Sequence, residues 1–126
     1  MEYSPEVVRR FDSTRRAGEL KTGLVGLVSG EAEDRTLGVW VRFQLQVNDG
    51  IVRAVRFAAF GCPHTIAAAD CAAERVEGAR ATVLQALDMR AIQRELGVPV
   101  EKLGKLLRIE DALAACGRAL PRPPKD

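Results

Sequence analysis

The sequence predicts an α+β fold, a three-stranded antiparallel sheet followed by a helical layer, and two observations carry the prediction. Val39, Val41, Phe43, Leu45 and Val47 alternate with polar or amphipathic partners, and Asn48-Asp49-Gly50 then offers a tight hairpin turn into a second apolar stretch, Ile51 to Phe60. From Cys62 onward the apolar spacing becomes helical and stays so to Leu120. Strands gathered first and helices after them form the pattern of α+β proteins.

Taken in order, Ser4-Pro5-Glu6 reads as an N-cap, a first-turn proline and an acid matched to the helix dipole, so a short helix is expected from about Pro5 to Thr14. Val7, Val8 and Phe11 would form its apolar stripe, and Gly18 would supply the left-handed residue at its end. Gly23 to Gly30 is a short apolar run bounded by glycines and reads as a strand, with Glu31 to Thr36 as a polar loop after it. Val39 to Val47 is the second strand and Ile51 to Phe60 the third, with less regular alternation. The helix after Cys62 would turn Ile66, Ala69, Ala73 and Val76 to the sheet and stop at Gly78. Ala81 to Ala86 and Asp88 to Leu96 read as two short helices ending at Gly97-Val98-Pro99. A last helix, about Val100 to Leu120, carries Leu103, Leu106, Leu107, Leu113 and Leu120 before Pro121-Arg122-Pro123-Pro124 forbids its continuation. One domain over residues 1–120 and a disordered tail over 121–126 follow.

A chain of 126 residues buries enough apolar surface to fold without metal or disulfide staples. Nineteen basic residues against 17 acidic ones, interspersed, give no footprint for a nucleic acid or other polyanion. No run approaches the roughly 20 apolar residues that span a bilayer. Three cysteines, an odd number, behind the polar start Met1-Glu2-Tyr3-Ser4-Pro5-Glu6 suggest a reduced, cytoplasmic protein.

Chemistry concentrates at Phe60-Gly61-Cys62-Pro63-His64-Thr65, where the strand pattern gives way to an alanine-rich helix. Pro63 suits the first helical position, which sets Cys62 at the helix N-terminus. Unpaired amides and the positive end of the helix dipole favour a thiolate there, the reactive form of cysteine. The other reading makes Cys62 a small apolar filler, as interior cysteines usually are.

At these residues the chain resembles the U-type iron–sulfur cluster assembly scaffolds, the family of IscU and the N-terminal domain of NifU. Tyr3-Ser4 and Val7 match its opening, and Arg15 with Gly18 its Pro-Arg-Asn-x-Gly element, with Thr14 in place of the proline. Val47-Asn48-Asp49-Gly50-Ile51 resembles its hairpin, Phe60-Gly61-Cys62 its aromatic-Gly-Cys signature and Glu110-Asp111-Ala112 the Glu-Asp-Ala of its last helix. The resemblance runs over nearly the whole chain and implies the same α+β fold. It also implies a [2Fe-2S] cluster built on three cysteines with a nearby aspartate and histidine, on sulfur delivered by a cysteine desulfurase.

Carried over residue by residue, most of that ligand set is replaced. The family's first cysteine and its aspartate fall on Leu37 and Val39, and its His-Cys pair on Gly104 and Lys105, so only Cys62 is retained. Cys71 and Cys116 lie about 9 Å and about 16 Å along their helices from the site and read as core fillers. His64 could assist Cys62 in holding iron or zinc with acids of the Glu31-Glu33-Asp34 loop, or could be a surface or capping group. The family's chaperone-read Leu-Pro-Pro-Val-Lys segment falls on Val98-Pro99-Val100-Glu101-Lys102, which lacks the second proline. The resemblance thus implies a divergent, non-enzymatic scaffold that binds iron or an iron–sulfur cluster weakly or not at all, or an interaction module that holds a desulfurase or other partner without carrying a cluster.

Overall fold

In the computed structural model, which describes residues 3–121, one sheet is packed against helices on a single face. The elements run α1 (Pro5–Asp12), β1 (Leu27–Asp34), β2 (Val39–Asn48), β3 (Ile51–Phe60), α2 (Pro63–Val76), a 3-10 turn (Ala81–Gln85), α3 (Met89–Leu96), a second 3-10 turn (Val100–Lys102) and α4 (Leu103–Ala119). The sheet order is β1-β2-β3, antiparallel throughout, as expected. The tail expected beyond Pro121 lies outside the described residues.

The period of two in β2 places Val39, Val41, Phe43 and Leu45 in the core. Asp49 and Gly50 both take positive φ, 55° and 74°, the conformation that matches a two-residue turn to the twist of its strands. The irregular alternation of β3 has a specific cause. Gln46 pairs with Ala54 and Val47 with Val52, so Arg53 is left over as a bulge. That extra residue shifts the phase, and Val52 and Val55, three apart, both face the core.

The first strand departs from expectation. It begins at Leu27 and runs through Glu31 to Asp34, so the residues expected as a loop are paired with Arg42 to Val39. β1 is an edge strand: Ser29, Glu31 and Glu33 face solvent while Gly30 lies under α4. Its acidic face made it read as a loop. Gly30 is held to glycine by contact, since an added Cβ would stand 2.4 Å from the Ala112 carbonyl oxygen and 2.6 Å from the Cys116 nitrogen.

Helix α2 lies against β3, α1, α3 and α4. Ala67, Ala68, Ala69, Ala72 and Ala73 are fully buried, because only small side chains let a helix be approached from several sides at once. Ile66, expected to face the sheet, is only half-buried. α4 contributes Leu106, Ile109, Ala112, Leu113 and Cys116 to the same core, and each fully buried Leu or Ile contributes about 1.5–3 kcal/mol.

Helix α1 is attached by different means from those expected. It ends at Asp12, and Gly18 instead donates its amide to Phe57 on the outer edge of β3. Only Val7 of the expected stripe is buried; Val8 and Phe11 are exposed. The Arg10 guanidinium reaches across to α2, donating to Asp70 at 2.9 Å and to Glu74 at 2.5 Å, and the Ser4 hydroxyl donates to the Leu96 carbonyl. Ion pairing there takes the place of apolar burial.

Candidate functional site

Four chain segments meet at one end of the sheet: the β1–β2 turn, the last residues of β3, the N-terminus of α2 and the first turn of α4. Cys62 stands among them as the N-cap of α2, its backbone extended at φ −78°, ψ 166°, with Pro63 opening the helix as the sequence predicts. The carbonyl of Cys62 accepts the Thr65 and Ile66 amides and so starts the helix. A side chain at Gly61 would press on Thr65, 3.2 Å from its Cβ, which explains the glycine before the cysteine.

The Cys62 sulfur is half-buried and lies 3.7 Å from the Thr65 hydroxyl. Burial alone pushes its thiol up. The Thr65 amide and hydroxyl, the His64 amide and the charge of Lys105 together outweigh burial, and the thiol falls below its ordinary value of 9.0. Cys71 and Cys116 behave oppositely, as the core fillers expected of them. Both are buried, and burial raises the Cys71 thiol and pushes Cys116 up to about 12.

His64 is neither a surface group nor a cap. It is 1% exposed, its ring 4.6 Å from that of Tyr3, and among the described residues neither ring nitrogen has a hydrogen-bond partner. Burial, then the charges of Lys102 and Lys105, hold it below its ordinary 6.5, with Glu101 opposing. The acids expected to join it are committed elsewhere. Glu31 accepts from the Trp40 indole, Glu33 pairs with Arg35, and Asp34 accepts the Leu37 amide in the turn.

The remaining family positions form no cage: only Lys105 is felt at Cys62. Val39 is 2% exposed and part of the core. Leu37 is held by the turn so that one of its methyls would stand 3.4 Å from a Cβ placed on Gly104. Lys105, next along α4, is half-buried. Among the described residues no three His, Cys, Asp or Glu side chains are grouped to hold a metal ion. One thiol with apolar and ammonium neighbours does not fit a [2Fe-2S] cluster, which requires four protein donors.

Apolar side chains are exposed on the segments that meet here: Phe60 at the end of β3 and Val100 before α4 are each 71% exposed, and Leu37 in the β1–β2 turn 38%. Phe60 pairs across the sheet with Trp40. Sequence reasoning found Cys62 and missed the contribution of Thr65, the burial of His64 under Tyr3 and the approach of Lys105. The Cys-x-x-Thr spacing at a helix start was the available signal for Thr65; the others join segments distant in sequence.

The family model described as the NifU-like N terminal domain matches residues 2–120. The scaffold protein IscU of Escherichia coli K12, described as an iron–sulfur cluster assembly scaffold, is 30% identical over 116 residues, covering 91% of each chain. Iron sulfur cluster assembly protein 1, mitochondrial, of Eremothecium gossypii is 31% identical over 115 residues, covering 90% of this chain and 75% of that one. Among solved structures, the N-terminal NifU-like protein of Brucella abortus superposes with a TM-score of 0.71 at 20% identity, covering 90% of both chains, which supports the fold. With the sheet order, the helical layer and the Cys62 junction already in place, these matches show that the chain belongs to the NifU N-terminal domain family, homologous to the IscU scaffolds.

Proposed function

We propose that this chain serves iron–sulfur cluster assembly as a divergent scaffold-family protein in which Cys62 handles sulfur by itself, as acceptor of a persulfide from a cysteine desulfurase. The observation that carries the reading is the setting of Cys62: a half-buried sulfur at the start of a 14-residue helix, beside the Thr65 hydroxyl and within the field of Lys105. In the transfer, the Cys62 thiolate attacks the outer sulfur of the desulfurase cysteine persulfide. The donor's S–S bond breaks, the donor cysteine leaves as a thiolate, and Cys62 keeps the sulfur as its own persulfide. Two electrons move with the displaced pair, so neither an oxidant nor a reductant is consumed. The Thr65 hydroxyl and the helix amides stabilise the anion before attack.

In this reading the chain is a recipient and a docking partner and not an enzyme, and iron binds weakly at Cys62. Its three free thiols suit a reducing compartment, in keeping with a cytoplasmic protein. Incubation with a desulfurase and cysteine, followed by intact-mass measurement, should add the mass of sulfur to wild type and none to Cys62→Ser. Addition that persists in Cys62→Ser would overturn the proposal.

The exposed Phe60, Val100 and Leu37 on the segments that meet at this end favour a second reading, a non-catalytic module whose apolar residues dock a desulfurase or another assembly protein. Pull-down with a purified desulfurase separates the two. Equal retention by wild type and Cys62→Ser, without sulfur addition to either, selects the module.

A further inference from the structure

We infer that Tyr3 and Ser4 form a strap, latched to the end of α3 and closed over His64, that opens locally and then presents the single imidazole of the chain beside Cys62. The inference goes beyond the sulfur-acceptor reading and does not require sulfur to reach Cys62. His64 is 1% exposed, yet among the described residues neither Nδ1 nor Nε2 has a hydrogen-bond partner. A neutral imidazole offers one N–H and one bare nitrogen, and burying both unpaired costs free energy that contact with water would return. The closed arrangement therefore carries a bias toward opening on the side of its cover.

The groups that keep it closed are few. The Tyr3 ring stands 4.6 Å from the imidazole, centroid to centroid and tilted by 59°, and Tyr3 is itself exposed, so solvent already reaches the outer side of the cover. Ser4 sets the position of Tyr3. Its hydroxyl accepts the Val7 amide at 3.2 Å and donates to the Leu96 carbonyl. That acceptor is fixed: Leu96 and Val98 are both buried, Gly97 between them turns the chain at φ 67°, and Val98 is bonded through its amide and its carbonyl to Gln93. The two sides of the latch are thus unequal. Helices α2 and α3 are anchored by core side chains, whereas none of residues 3–6 is buried and the core of α1 begins at Val7. Swinging Tyr3 away disturbs neither core nor sheet, which is the condition for opening without unfolding. Covered, the imidazole is withheld. Uncovered, it stands two residues from Cys62 as a hydrogen-bond partner for whatever that thiol carries.

Diethyl pyrocarbonate reads the strap directly, because it acylates neutral imidazole and His64 is the single histidine. It is applied to the full chain at neutral pH, with hydroxylamine reversal to confirm the adduct. Iodoacetamide alkylation of Cys116, which is fully buried, reports global unfolding alongside. Wild-type His64 should react at least about tenfold more slowly than in the urea-unfolded chain. Tyr3→Phe should keep the wild-type rate and Tyr3→Ala raise it about tenfold, with Cys116 still protected. Ser4→Ala should raise it about two- to tenfold, the worth of one hydrogen bond. An unchanged rate in Tyr3→Ala or Ser4→Ala, or a wild-type rate equal to that of the unfolded chain, would overturn the inference. If the variants do not fold, the wild-type chain decides. Below the urea transition His64 acylation should be nearly independent of urea while Cys116 alkylation rises steeply; parallel slopes would mean that only global unfolding exposes His64, and the strap would be refuted. No step involves sulfur transfer, so failure to load Cys62 with sulfur leaves this result standing.

Discussion

Alanine at Gly30 and alanine at Gly104 should move stability in opposite directions, although both replace a glycine inside a regular element. The usual effect of glycine to alanine in a helix or strand is a gain of about 0.5–1 kcal/mol, because the unfolded chain loses freedom. At Gly104 the added methyl would lie 3.4 Å from Leu37, an ordinary contact, so that gain should appear nearly intact. At Gly30 the methyl would lie 2.4 Å from the Ala112 oxygen, 2.6 Å from the Cys116 nitrogen and 2.9 Å from the Ala115 Cβ. Two of these are helix backbone atoms and cannot rotate away. Relief to ordinary separation requires α4 to lift by about 1 Å from β1. Lifting it loosens Leu106, Ile109 and Leu113 together. Overpacking of this kind costs about 1–3 kcal/mol, and the loosened helix places Gly30→Ala at the upper end, roughly 2–3 kcal/mol net. Urea unfolding followed by far-UV circular dichroism measures both variants. With slopes of about 1–3 kcal/mol per molar urea, Gly30→Ala should lower the midpoint by about 1 M or more. A Gly30→Ala midpoint at or above wild type would show that α4 does not rest on the β1 backbone, and the description of this packing would fail.

Four further outcomes follow from the geometry. His64 is the single histidine, and its folded value lies below 6.5, so the unfolded chain takes up a proton first as pH falls. Stability should be full above about pH 6.5 and decline below it, and His64→Phe should flatten that decline in urea midpoints taken between about pH 7.5 and about pH 5.5. Alkylation by iodoacetamide should modify Cys62 alone in the folded chain, with a half-maximal rate below pH 9, moved upward by Lys105→Ala, while Cys71 and Cys116 react only in urea. Arg10→Met should cost about 3 kcal/mol by leaving Asp70 buried without its cation, and Arg10→Met/Asp70→Leu should recover part of that loss in the same unfolding assay. Leu113→Ala, at a position with no exposed surface, should cost about 2–5 kcal/mol by opening a cavity beneath the sheet.

What could be read in the sequence was what repeats locally. The alternation of Val39 to Val47, the Asp49-Gly50 turn and the Gly61-Cys62-Pro63 junction each depend on neighbours in the chain, and the structure has them as expected. β1 was displaced because an edge strand needs only one buried face, and its outward Glu31 and Glu33 resemble a loop. The stripe expected on α1 failed because Arg10 reaches Asp70 across 60 residues, and no local pattern reports a long-range ion pair. The same limit applies at the site. Cys62 announces itself by position, whereas the influence of Lys105 and the cover of Tyr3 over His64 exist only once distant segments meet.

The residues that hold α1's connection and the turn after α2 in place also determine how the sheet can associate. On the outer edge of β3, Arg16 and Gly18 bond to Phe57, while Gly78 and Ala79 bond to Val52 and Ala81 to Gly50. A foreign strand would find the outward donors and acceptors of Val52 and Phe57 on β3 already occupied. β1 presents the other edge, and there an incoming strand meets Glu31 and Glu33 side by side with Ser29. The three-stranded sheet is thus protected on one flank by its own chain and on the other by charge. A fusion or graft that removes residues 16–18 would expose a template for strand addition, so aggregation would become the first symptom of a truncation that leaves the core intact.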